Sequence, residues 1–207
     1  MIDDEPALLR PRSDVGQRLI DATIAVIDLH GETAVRVQDI VATVGVPIPV
    51  LYREFGNREG LVQAAQVHRL STALSADLGA FSDATAGVAT AEEFATLMNL
   101  TLDEVWSEER HSLRWKRVNI LGSTYGRPEL THAVAAVQRR SVSGIASALR
   151  PAQSQGWIRQ DLDLEAFAAW FAGLMLGRII IELDGGTEHD VAWNAMTREA
   201  LQRVMFG

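Results

Sequence analysis

Groups able to do covalent or acid–base chemistry are few in this 207-residue chain, and their spacing is wrong for catalysis. The five histidines, His30, His68, His111, His132 and His189, fall into no metal-ligand pattern such as HExxH, and there is no cysteine. Thiolate ligands, cysteine nucleophiles and disulfides are therefore excluded together. Glu92 and Glu93, like Glu108 and Glu109, are neighbours in sequence. On a helix such pairs point in different directions, as solvated faces do. With no Gly-rich phosphate loop and no nucleophile motif, the chain reads as a non-enzyme: no catalytic residue, no metal ligand and no cofactor are expected.

The residues that remain are suited to binding, and the stretch Val37 to Leu61 organises them. Val37, Ile40, Val41 and Val44 repeat at i, i+3, i+4 and i+7, predicting a two-turn helix closed by Gly45. A third helix over about Pro47–Glu54 opens with prolines at 47 and 49, which the first turn tolerates because its N–H groups have no partner inside the helix. Leu51 and Phe55 face inward on this reading, Tyr52 and Arg53 outward. Asn57 is an N-cap for a fourth helix carrying Leu61, Ala65, His68 and Thr72. Before these, Val15, Leu19, Ala22, Val26 and Leu29 define a first helix ended by Gly31. That is the outline of a helix-turn-helix, whose second helix enters a DNA major groove.

Further helices follow. The fourth is expected to end near Gly79, and the small-residue stretch from Phe81 to Thr90 to be a flexible boundary. Ala91–Glu109, Leu113–Leu121, a long helix from Pro128 to about Gln155, an apolar helix capped by Asp163 and running to Asp184, and a last one from about Glu188 to Met205 complete the chain. No strand-like alternation or internal repeat is present, so the fold is all-α. The expected division is a tail over 1–13, a helix-turn-helix domain over 14–60 and a larger helical domain over 61–207. The longest uncharged apolar run, Ala166 to Gly177, is about half of the ~20 residues a membrane helix needs, and the N-terminus lacks a secretory pattern. No membrane partner is expected.

The formal charge is −8, with 27 acids against 19 basic residues. Residues 1–60 hold six arginines and ten acids, a local net of −4. Contact with nucleic acid must then be local and cannot come from overall attraction.

The residues from Arg18 to Ala65 resemble the TetR family of bacterial transcriptional regulators: Gly31 after the first helix, Asp39-Ile40, Gly45-Val46 at the turn, Leu51-Tyr52, Phe55, and Asn57-Arg58-Glu59. Gly156-Trp157-Ile158, then Asp161-Leu162-Asp163 and an apolar helix, are also similar to the family's larger domain. The resemblance implies a cytoplasmic, ligand-responsive regulator, with repression its expected effect. It implies a homodimer that binds a palindromic DNA operator and is released by a small apolar or aromatic molecule. It also implies that Tyr52 and Arg58 touch phosphates.

Several positions depart from the family pattern. Pro47 replaces a common Ser or Thr, Ile48 and Val50 stand where a Lys and a Thr are usual, Glu54 replaces a frequent His or Tyr, and Arg36 replaces a capping hydroxyl. Two readings stay open. In one, Ile48 and Val50 meet thymine methyl groups while Arg36, Gln38 and Arg53 supply base or phosphate contacts. In the other, DNA binding is weakened or lost, and the chain acts by binding a ligand or a different subunit.

For the ligand, Phe94, Met98, Trp106, Trp115, Trp170 and Met175 are expected around an apolar cavity, with Asn119, Tyr125 or Arg114 as polar contacts; the same residues also suit an ordinary core. For the dimer, Ala166, Ala169, Gly173 and Gly177 form a ridge of small residues, with Trp193 on the last helix. Phe167, Phe171, Leu174 and Met175 lie on the opposite side. A helix apolar on both sides needs cover on both, from a twin subunit or from the last helix of the same chain.

Overall fold

A computed structural model of the chain describes residues 6–9, 12–183 and 188–207, with the side chain of Glu188 excepted. Most of the tail expected over 1–13, and the expected end of the apolar helix at Asp184, lie outside the described residues. Among those described there is no strand, and the chain is all-α. The helices are α1 (Asp14–His30), α2 (Val37–Val44), α3 (Ile48–Phe55), α4 (Arg58–Ala86), α5 (Ala91–Val105), α6 (His111–Ser123), α7 (Pro128–Ser154), α8 (Leu164–Glu182) and α9 (Glu188–Phe206). They form two compact units, one of residues 1–73 with 120–137, the other of residues 74–119 with 138–207. The helix α4 runs unbroken through both.

In the first unit the predicted apolar spacing becomes a core. Leu19 and Ile27 of α1, Ile40 and Val44 of α2, Leu51 of α3, and Leu61 and Ala65 of α4 are buried together. Ser13 caps α1 by accepting from the Gly16 N–H at 3.0 Å, and Asn57 caps α4 by accepting from the Gly60 N–H at 2.8 Å. The tight turn after α2 needs a left-handed residue, supplied by Gly45 at φ 76°. Even the N-terminal segment contributes, since Ala7–Leu9 forms a 3-10 turn and Leu8 packs on this core.

The second unit is built around Phe94, Leu102, Trp106, Leu149, Ile158, Phe167, Met175, Leu201 and Met205. A capping box joins Thr90 and Glu93 at the start of α5, and Asp163 caps α8 through the N–H groups of Glu165 and Ala166. Pro151 lies in the last turn of α7, where the carbonyl it leaves unpaired belongs to exposed Ser147 and stays solvated.

Two elements differ from the sequence-based expectation. The helix α4 passes Gly79 and ends at Ala86, because Phe81 packs on the second core and the Thr85 hydroxyl bonds back to the carbonyls of Phe81 and Ser82, both at 3.0 Å. An interior glycine costs about 1 kcal/mol, less than an aromatic side chain gains by burial. The helix α5 stops at Val105 and not at Glu109, and Glu108–Arg110 is a separate 3-10 turn. Here the buried Arg114 guanidinium donates to the carbonyls of Val105 at 2.8 Å and Ser107 at 3.0 Å, which ends the helix.

By length and composition α8 is apolar enough to cross a membrane, with a mean hydropathy of 1.7 over its most apolar stretch. It extends beyond the run ending at Gly177, through Arg178 and on to Glu182. Both are buried and paired, Glu182 with Arg114 at 2.5 Å and Arg178 with Asp190 at 2.9 Å. These pairs fasten α8 to α6 and α9.

Candidate functional site

The outward face of the helix-turn-helix consists of Gln38 on α2 and Pro47, Pro49, Tyr52 and Arg53 on and before α3, all exposed. Tyr52 is 47% exposed, and the Arg53 side chain is 70% exposed with only a loose 3.7 Å approach to Glu54. Ile48 and Val50 are half-buried, Ile48 packing partly on the core, so each presents only part of its side chain. Backbone donors are scarce as well. Pro47 and Pro49 carry no N–H, and the Val50 N–H turns back to the Pro47 carbonyl at 3.0 Å.

The arginines of this unit are mostly engaged with its own backbone. Arg18 donates to the Val44 carbonyl at 2.6 Å, closing the C-terminus of α2. Arg36 bonds the carbonyls of Thr33 at 2.5 Å and Val35 at 3.2 Å. Arg58, expected at a phosphate, donates instead to the carbonyls of Val35 at 2.9 Å and Glu32 at 2.7 Å. Arg12 lies 5.2 Å from the centre of the Phe55 ring and reaches the Glu54 carbonyl at 3.2 Å. Carbonyls at helix ends need donors, and a guanidinium satisfies them strongly.

Behind this face sits a polar cluster. Arg127 pairs with Glu32 and, at 2.7 Å, with Glu59. Gln66, fully buried, donates to Glu32 at 3.0 Å, and Arg69 bridges Gln66 and Asp28. Burial pushes the Glu32 carboxyl up, but the hydrogen bonds of Arg127 and Gln66 and the charges of Arg127 and Arg58 outweigh it and hold the group below the ordinary glutamate range.

The second unit contains two cavities, of about 330 Å³ and about 240 Å³. Phe81, Thr101, Ile145 and Phe171 line both and form the partition between them. The larger is apolar, with Asn99, Gln202 and Arg203 among its polar lining. The smaller has a charged wall of Asp77, Glu104, Arg110 and Arg117. Arg110 bonds Asp77 at 2.5 Å and also Glu104, while Arg117 bonds the other oxygen of Asp77.

Of the residues expected around a ligand, Met98 lines the larger cavity and Met175 the smaller. The rest are placed elsewhere. Phe94 is buried against Trp157 and Phe206, and Trp106 is core. Trp115 donates to His111 of its own helix at 2.9 Å. Asn119 is exposed, Trp170 is 40% exposed on the far side of α8, and Tyr125, 95% exposed, belongs to the other unit. The tryptophans line neither cavity, whereas Phe81 and Phe171 line both and Phe167 and Phe206 the larger. Arg110, in the 3-10 turn before α6, and Arg117, on α6, both reach Asp77 on α4, 33 and 40 positions away in sequence.

The two-sided character of α8 is observed. Phe167 and Met175 are buried and Phe171 and Leu174 half-buried, while Ala166, Ala169, Trp170, Gly173 and Ile180 are exposed, as are Val191 and Met196 on α9. Gly177 differs from the rest of the ridge, for a Cβ there would meet the Trp193 ring of the same chain at 3.5 Å.

Residues 19–65 match the family described as bacterial regulatory proteins, tetR family. No curated protein matches the sequence. Among solved structures, a chain assigned as a TetR-family transcriptional regulator from Rhodococcus sp. superposes with a TM-score of 0.65 at 22% identity, over 92% of this chain and 98% of that one. The fatty acid degradation regulator FadR from Bacillus halodurans gives 0.58 at 16%, over 96% and 97%. A transcriptional regulator assigned in Saccharomonospora viridis, in complex with choline, gives 0.61 at 18%, over 93% and 97%. Over more than nine-tenths of the chain the fold is thus that of these structures.

Proposed function

We propose, from the match of residues 19–65 to the tetR family of bacterial regulatory proteins, that the chain is a cytoplasmic, ligand-responsive transcriptional repressor. It binds a palindromic operator as a homodimer and leaves it when a small molecule enters the second unit. The observation that carries the reading is the intact scaffold of α2 and α3, with Leu51 buried and Gln38, Tyr52 and Arg53 turned outward beside Ile48 and Val50. Tyr52 and Arg53 supply phosphate contacts, Gln38 reaches a base edge, and the outer parts of Ile48 and Val50 meet thymine methyl groups. Arg36 and Arg58 act from behind, holding the segment before α2 in place.

The apolar side of α8 and α9 supports the dimer. Ala166, Ala169 and Gly173 allow close backbone approach, and Ile180, Val191 and Met196, each more than 70% exposed, gain most from cover. Ligand binding favours a dimer whose recognition helices no longer match half-sites one DNA turn, ~34 Å, apart. Selection of random duplexes by the whole chain at low salt is the test. An enriched palindrome supports the reading, and no enriched sequence overturns it. Sedimentation showing a monomer at micromolar concentration removes the dimer.

A second reading, a ligand-binding or heterodimer partner with weakened DNA binding, has its own observation. Arg12, Arg18, Arg36 and Arg58 are all engaged within the unit, which carries a local net charge of −4 over residues 1–60. The same selection experiment decides between the two.

A further inference from the structure

The charged wall of the smaller cavity has two acids and two arginines, but they are shared unevenly. Two guanidinium groups, Arg110 and Arg117, converge on the single carboxylate of Asp77. The other acid nearby, Glu104, is 64% exposed and takes Arg110 from the solvent side. Arg110 thus has two carboxylates, whereas Arg117 has only a share in Asp77. The Nε of Arg117 is also buried with no acceptor, although a buried guanidinium N–H left unpaired is costly. Both features call for an additional anion with oxygen acceptors. A cationic ligand offers the Arg117 Nε no acceptor.

The remainder of the space sets the other end of the molecule. Beyond the charged wall the cavity is lined by apolar side chains apart from Thr101 and Ser141, and past Ile145 and Phe171 it adjoins the larger cavity. We propose that the second unit binds an amphipathic carboxylate, its apolar chain lying along Ile145 and Phe171 and its head taking Arg110 and Arg117 from Asp77. The inference rests on the ligand-responsive reading above and names the class of ligand, which that reading leaves as merely apolar or aromatic. Asp77 stands on α4, the helix whose first turn carries Arg58 and Glu59. Exchange of the counter-ion therefore acts directly on an element that continues into the helix-turn-helix unit.

The test uses the whole chain and three probes of equal chain length: decanoate, decan-1-ol and decyltrimethylammonium, titrated by calorimetry. Decanoate is expected to bind roughly tenfold or more tightly than the alcohol, the factor a charge-assisted hydrogen bond supplies. The ammonium probe is expected to bind weakest. Arg117→Gln should bring acid and alcohol to parity, and Asp77→Asn, which removes the competing carboxylate, should tighten decanoate. Arg117→Lys, with helix content checked by circular dichroism, keeps the charge and should retain part of the preference, separating loss of recognition from loss of fold.

Equal affinity for acid and alcohol overturns the carboxylate while leaving a ligand cavity in place. Absence of binding by all three overturns the inference without touching operator selection. Binding of decanoate by a chain that selects no operator supports the inference and sinks the DNA reading alone.

Discussion

Arginine is used differently beside the short helices of the first unit and in the second unit, although Arg69 and Arg127 of the first also pair with carboxylates. In the first, Arg18, Arg36 and Arg58 donate to main-chain carbonyls that the ends of short helices leave open. In the second, Arg110, Arg114, Arg117, Arg178 and Arg198 pair with carboxylates. A carbonyl is a fixed part of the backbone and has no competitor, so the first kind of contact is structural. A carboxylate on a side chain can be replaced by another carboxylate, so the second kind is exchangeable. The acidic helix-turn-helix unit is thus held together in part by its own cations.

This contrast can be broken most sharply at Arg58. Arg58→Ala removes two charge-assisted bonds, and denaturant melting should show a loss of about 2–4 kcal/mol. Were Arg58 chiefly a phosphate contact, the melt would be unchanged and only DNA affinity would fall. Arg18→Ala removes one such bond and uncaps α2, with an expected loss of about 1–2 kcal/mol by the same measurement.

A smaller effect is expected from Glu32→Gln, which tests the cluster behind the reading face by its pH dependence. The folded-state pKa of Glu32 is depressed, so its contribution is complete above the ordinary glutamate range and is lost as pH falls through the folded value. Thermal melting between neutral pH and pH 3 should show a shallower acid decline for the variant. The smallest effect on stability, within about 0.5 kcal/mol, is expected for Arg53→Ala. That variant should instead lower the salt slope of operator binding by about one, the signature of one phosphate contact.

Helix order was legible because apolar spacing survives translation into burial. Leu19, Ile40, Leu51 and Leu61, chosen by period alone, are all essentially inaccessible. The end of α4 was not legible, since Gly79 and the small residues after it carry a local breaking signal that the packing of Phe81 overrides. Sites were read less well than elements. Tyr125 and Trp170 were chosen by residue type, but whether a side chain borders empty space depends on neighbours distant in sequence. The charge pairs around Asp77 join residues 33 and 40 positions apart, a separation that no local pattern reports.

The prolines at 47 and 49, at the start of α3, cost it two backbone donors. They also act on the unfolded chain. At eight residues α3 is shorter than the roughly 12–15 an isolated helix needs, and two locked φ angles remove conformations it would otherwise sample. On the DNA-reading proposal, α3 would enter its groove with little ordering left to do, and less of the free energy of association would go to immobilising the protein. A surface poor in hydrogen-bond donors is in this way compensated by stiffness, and its recognition depends on shape.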